Sequence, residues 1–200
     1  MILLTGFEKF GNFNRNPSEE LVKLYENKNF KGQEIKIEIL PVSFLRSREI
    51  IEKILERYEP EIVLSFGIAN GRNTISIERV AINIMDSESE DNDHFKPNNL
   101  KIYDDGYDGY FSNLPVKDIV NELKRNNIPA YVSNSAGTYV CNTVMYSFLY
   151  NIKRKNLKTR YGFIHLPADE YIASEKNNLP YIKFEEMKNA LEKILNFLIK

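Results

Sequence analysis

Cysteine, histidine and tryptophan are nearly missing from this chain. It carries one cysteine (Cys141), two histidines (His94 and His165) and no tryptophan in 200 residues. One cysteine cannot close an internal disulfide or build a metal site from several thiolates, so a reducing cytoplasm is the natural compartment. Excess charge is missing too, since 27 basic residues against 28 acidic ones leave a formal charge of -1. Non-specific nucleic-acid binding feeds on positive charge, so no nucleic-acid partner is expected. No apolar run approaches the roughly 18 residues of a membrane span, and no membrane partner is expected. The opening Met1-Ile2-Leu3-Leu4 lacks the basic lead-in and longer apolar stretch of a signal peptide. The acidic stretch 86–93 lacks the ligand rhythm of a calcium loop and reads as a solvated face; neither metal nor other cofactor is expected.

What is present is an alternation of strand and helix signals. Apolar runs at 2–5, 62–66, 130–133 and 161–165 read as buried strands, and 34–40 alternates with the period of a half-buried one. Residues 74–84 also look extended. Helical spacing marks 44–58, 138–154 and the set Phe184, Met187, Leu191, Ile194, Leu195 and Leu198, while Pro115 opens another helix to about 126. Asn16-Pro17-Ser18-Glu19 starts a helix with a cap, a first-turn proline and a capping-box glutamate. Residues 86–113 form a long polar excursion with a small hairpin around Asp105-Gly106. The alternation predicts an α/β fold, a three-layer α/β/α sandwich around a twisted, mostly parallel sheet, in one domain over 1–200. Sites in such sheets gather where strands end.

Cys141 follows Ser133-Asn134-Ser135-Ala136-Gly137-Thr138-Tyr139-Val140, a strand end, a small-residue turn and a helix start. A thiol there meets the positive end of the helix dipole, which favours the thiolate and, beside a protonated histidine, a pKa of about 3.5–7.5. The turn can aim backbone N–H groups at a substrate oxygen. The competing interpretation is an inert core cysteine beside an ordinary capped loop. His165 ends an apolar strand and is the better base; His94 lies in an acidic, solvated loop. Glu78 interrupts the apolar run Ile75-Ser76-Ile77-Glu78-Arg79-Val80, where a buried carboxylate needs a partner such as an imidazole N–H. Phe7 and Phe10 flank the first strand's end, either as pocket walls or as core plugs.

Five blocks together resemble type I pyroglutamyl peptidase, also called pyrrolidone-carboxylate peptidase. They are Thr5-Gly6-Phe7-Glu8-Lys9-Phe10-Gly11, Asn16-Pro17-Ser18, Ile77-Glu78-Arg79-Val80-Ala81-Ile82-Asn83, the block ending in Cys141-Asn142, and Gly162-Phe163-Ile164-His165-Leu166-Pro167. The resemblance implies a cysteine peptidase that removes N-terminal pyroglutamyl residues from peptides through a thioester. Cys141 would be nucleophile, His165 base and acid, and Glu78 the orienting carboxylate. Phe7, Phe10, Ile68, Tyr139 and Val140 would bind substrate, and Arg79 and Cys141 would meet the oxyanion. Tyr139 stands where the family often has phenylalanine, and Ile68 where many members have glutamine, so the lactam loses a polar side chain there. The resemblance further implies a homo-oligomer, a tetramer or dimer. Two alternatives compete: a catalytically silent binding relative, and a nucleoside-phosphorylase-like enzyme on a similar scaffold.

Overall fold

Strands buried along their whole length need cover on both faces, and the central strands of this protein are of that kind. In the computed structural model, which describes residues 1–11, 13–176 and 179–199, β1 (Ile2–Phe7), β4 (Ile62–Ile68) and β9 (Arg160–Leu166) are buried almost throughout. They sit inside a seven-stranded sheet of order β2 (Asn29–Phe30), β3 (Gln33–Leu40), β1, β4, β9, β5 (Ile75–Glu78) and β8 (Ala130–Ser133). Strands β3, β1, β4 and β9 are mutually parallel. β5 runs antiparallel to β9 and parallel to β8.

Helices α1 (Pro17–Lys23), α3 (Val116–Arg125) and α6 (Phe184–Leu198) close one face, packing Leu21, Leu123 and Leu191 on Leu4, Leu64 and Ile164. Helices α2 (Phe44–Tyr58) and α4 (Val140–Arg154) close the other, packing Ile51, Val144 and Phe148 on Leu3, Val63 and Phe163. This is the three-layer α/β/α arrangement expected from the alternation. A short α5 (Glu170–Glu175), begun by the Asp169 side chain accepting from the Ile172 N–H at 2.9 Å, was not expected. Among the described residues no helix is long and apolar enough to cross a membrane.

Four local expectations change. The extended stretch 74–84 is two strands, because β6 (Val80–Ile82) leaves the main sheet and pairs with β7 (Gly109–Phe111). The hairpin expected around Asp105-Gly106 is therefore a turn leading into β7, closed by the Gly106 N–H donating to the Tyr103 carbonyl at 3.2 Å. Asn16 does cap α1, accepting from the Ser18 N–H at 3.0 Å, but Glu19 pairs forward with Lys23 instead of back to the cap. Lastly, the acidic excursion is not uniformly solvated. Asp91 is buried and accepts from the N–H groups of Phe44, Asp93 and Phe95 at 2.8, 2.9 and 3.0 Å.

Candidate active site

Strand register brings the chemistry to one face of the sheet. Ser76 lies opposite His165 and Glu78 opposite Phe163 across the β5–β9 pair, while Gly67 lies beside His165 across β4–β9. Opposed residues share a face and alternate residues return to it, so Ser76, Glu78, Phe163 and His165 all project toward the layer holding α4. The Glu78 and His165 side chains meet there, Nδ1 to Oε1 at 2.8 Å, with Glu78 fully buried and His165 4% exposed. The β4–β5 turn adds Arg72, whose Nη1 donates to Glu78 Oε1 at 2.6 Å and also to Ser76 Oγ. Its Nη2 donates to the Ser135 carbonyl at 3.3 Å, in the turn before α4.

Burial works against the Glu78 charge, yet the bond and charge of His165, with the nearby Ser133 hydroxyl and the hydrogen bond from Arg72, hold its carboxyl below the usual carboxylate range. Burial likewise pulls the His165 imidazole below its ordinary 6.5; Glu78 opposes this and Arg72 adds to it. The ring is therefore neutral at pH 7. An ionised Glu78 accepts from Nδ1–H, which leaves Nε2 as the basic nitrogen.

Cys141 enters from the first turn of α4 and is half-buried. A β-carbon built on Gly67 would lie 3.0 Å from Cys141 Sγ and 3.0 Å from the Phe163 ring, so the thiol has its room against β4 only because residue 67 is glycine. The turn before the helix passes through Gly137 at φ +79°, a left-handed conformation that suits glycine. No side chain caps α4, whose N-cap is Tyr139. The first N–H groups, those of Val140 and Cys141, are thus left for a ligand, in contrast to an ordinary capped loop. The expected low thiol pKa is not found. Burial, followed by the Glu78 charge, pushes the thiol up to about 12 against the opposing pull of Arg72. Desolvation outweighs the helix dipole here, and the pair rests as neutral thiol and neutral imidazole.

The thiol opens into a pocket of about 110 Å³ walled by Phe7, Phe10, Phe13, Val42, Tyr139 and Ile172. Ile68 and Val140 line it as well, so all five substrate-binding candidates face one cavity. The Phe10 and Tyr139 rings stand 5.4 Å apart, and Tyr139 packs edge-on against Phe44 at 5.1 Å. The Tyr139 hydroxyl donates to the Glu90 carbonyl at 2.9 Å and so ties the wall to the acidic excursion. Polar groups in the lining are few, namely Arg15, Asn16 and Asn70. Asn16 is committed to its helix cap and to the Glu8 carbonyl.

Arg79 lies elsewhere. Its backbone bonds to Ser133 and Ser112, it does not line the pocket, and among the described residues its guanidinium makes no hydrogen bond or ion pair. His94 sits in solvent against Glu90, as its acidic surroundings suggested. Among the described residues no group of three or more His, Cys, Asp or Glu side chains is placed to hold a metal ion. Several site residues were not anticipated: Arg72 beside Glu78, Asn70 and Arg15 among the polar lining, and Phe13, Val42 and Ile172 in the pocket walls. The need was legible, because a buried Glu78 calls for a counter-charge, but Arg72 lies in the turn between β4 and β5, whose path residue spacing does not fix.

The family model described as pyroglutamyl peptidase matches residues 1–199. A pyrrolidone-carboxylate peptidase of Thermosipho melanesiensis is 45% identical over 190 residues, 95% of this chain and 94% of its own. One of Oceanobacillus iheyensis is 43% identical, covering 96% of this chain and 95% of its own. Among solved structures, the pyrrolidone carboxyl peptidase of Thermococcus litoralis superposes with a TM-score of 0.93 at 36% identity, over 98% of this chain and 91% of that one. Pyroglutamyl peptidase I of Bacillus amyloliquefaciens does so with a TM-score of 0.92 at 35% identity, over 96% of this chain and 93% of that one. With its whole described fold and nearly its whole length matched in this way, the chain belongs to the pyroglutamyl peptidase family.

Proposed function

We propose that this peptidase cleaves the bond after an N-terminal pyroglutamyl residue, with Cys141 as nucleophile, His165 as base and acid, and Glu78 as the carboxylate that orients the imidazole. The observation that carries the reading is the 2.8 Å Glu78–His165 contact on the face where Gly67 leaves room for the thiol. The substrate's first residue is a neutral lactam with no ammonium to grip, so a small, aromatic pocket with few polar groups suits it. With isoleucine at position 68, recognition of the ring amide falls to backbone groups and to Asn70.

Each step balances without further groups. As Cys141 Sγ attacks the pyroglutamyl carbonyl, its proton passes to His165 Nε2. The developing oxyanion is met by the free N–H groups at the start of α4, an arrangement in which each donor is typically worth about 10²–10³ in rate. The imidazolium returns its proton to the departing amine, leaving a thioester. Water, deprotonated by the same nitrogen, then frees pyroglutamate and the thiol. The reading goes with a cytoplasmic home, where the single thiol stays reduced, and with a homo-oligomer.

A chromogenic pyroglutamyl amide tests it. Wild type should release the amine, with an acid limb of kcat/KM below pH 6.5 and no fall through pH 9, because the resting thiol is neutral. Cys141→Ala should lose about 10⁴-fold or more. A wild type that binds the amide without cleaving it would instead support a catalytically silent relative. Full turnover in the Cys141→Ala variant would remove the thiol from the mechanism.

A further inference from the structure

We infer that Arg72 is a positioning residue of this site, a half-buried guanidinium that keeps Glu78 charged, aims it at His165 and fastens both to the turn leading to Cys141. The inference rests on the reaction proposed above and names a group that reaction does not otherwise use. Arg72 touches three acceptors from two separate segments. It reaches Ser76 Oγ and Glu78 Oε1 on β5, and the Ser135 carbonyl in the turn that ends at α4. The bonds to β5 come from Nη1 and the bond to the turn from Nη2, so the two ends of one guanidinium fork tie the two segments together. The side chain is 25% exposed, beside a carboxylate with no exposure at all.

Glu78 cannot stay ionised at that depth on an imidazole alone, because a neutral imidazole brings no charge. Arg72 supplies the charge on the same oxygen, Oε1, that receives the His165 N–H. The second oxygen, Oε2, has no hydrogen-bond partner among the described residues. Two donors on one oxygen hold the carboxylate at the rotation that presents Oε1 to the ring, and so fix the ring's orientation and its Nδ1–H tautomer. The charged and titratable groups around His165 are Glu78 from β5, Arg72 from the β4–β5 turn and Cys141 from α4; β4 contributes Gly67 and Ser65. Arg72 is the only fixed cation in that set. It therefore also disfavours the imidazolium and keeps His165 a free base to lower pH.

The chain's two histidines make the test direct. Imidazole 15N resonances are followed against pH in wild type, Arg72→Met and Arg72→Lys. His165 is assigned by its loss in His165→Gln. In wild type the neutral ring should carry its proton on Nδ1. In Arg72→Met the Glu78–His165 pair should take up its proton at higher pH, by several tenths of a unit or more, and the Nδ1–H preference should weaken as that proton is shared with Glu78. Arg72→Lys keeps the charge without the fork, so its titration should stay near wild type. On the chromogenic amide, Arg72→Met should lose about 10²-fold or more in kcat with KM changed only a few-fold, and its acid limb should rise with the imidazole. Arg72→Lys should lose kcat with the acid limb in place. An unmoved His165 titration in a folded Arg72→Met protein overturns the inference. If that variant does not fold, Arg72→Lys with wild-type kcat overturns it. The resonances report on Arg72 whether or not the amide is cleaved, so a failure of the proposed reaction remains separable from a failure here.

Discussion

At position 67 the site depends on an atom that is absent. A β-carbon there would press on both Cys141 Sγ and the Phe163 ring at 3.0 Å. Contacts that tight force neighbours to move, and overpacking of this kind typically costs about 1–3 kcal/mol. The softer neighbour is the thiol at the mouth of the pocket, because Phe163 is locked between Phe7 at 6.3 Å and His165 at 4.8 Å. Gly67→Ala should therefore lower the urea midpoint modestly while kcat/KM falls by a much larger factor. An alanine variant with wild-type kcat/KM would show that the thiol does not work beside residue 67. The Glu78–His165 contact and the place of Cys141 on the pocket were legible in the sequence, because each residue is scarce or out of place in its surroundings. Arg72 was not, since its partner is fixed by the path of the turn between β4 and β5, which residue spacing leaves open. The direction of the thiol pKa was misjudged for a related reason: a helix start can be read from a sequence, but the depth at which it is buried cannot.

Among the elements, helices were read closely. Residues 44–58 form the helix expected, and the expected 138–154 begins two residues later at Val140. The acidic excursion was misread, because composition reports average polarity and not which single carboxylate turns inward. Asp91 does so, and three backbone N–H groups depend on it. One of them, from Phe44, belongs to the first turn of α2. Leaving a buried donor unpaired costs about 1–3 kcal/mol, and some of the three would recover water. Asp91→Ala should thus destabilise the protein by about 2–3 kcal/mol. It should also loosen the Tyr139 wall, which is tied to the same excursion through the Glu90 carbonyl. Denaturant unfolding would show the first effect and a raised KM for the pyroglutamyl amide the second. A stability change under about 0.5 kcal/mol would mean that the excursion is held by other contacts.

Over the whole molecule, the layer architecture followed from strand–helix alternation, but the antiparallel insertion of β5 beside β9 did not. That insertion sets Glu78 diagonal to His165, 87 residues away in sequence. It also fixes how the protein responds to acid. Unfolded, an imidazole takes up a proton below about pH 6.5. Folded, His165 resists protonation to lower pH because burial, helped by Arg72, outweighs the pull of Glu78. The unfolded state then binds more protons, so stability is complete above pH 6.5 and drains as pH falls toward the folded value. Glu78 acts in the same direction at lower pH, its folded carboxyl lying below the ordinary 4.5. Urea midpoints measured from pH 8 down to pH 5 should therefore be level at first and then decline from near 6.5. Since carboxylates barely titrate in the upper part of that range, His165→Gln should flatten the decline there while leaving the steeper loss below pH 5. A wild type that gains stability between pH 7 and 5 would mean that the folded imidazole binds its proton more tightly than the unfolded one. The site would then rest as an ion pair, contrary to the neutral thiol and imidazole inferred from its burial.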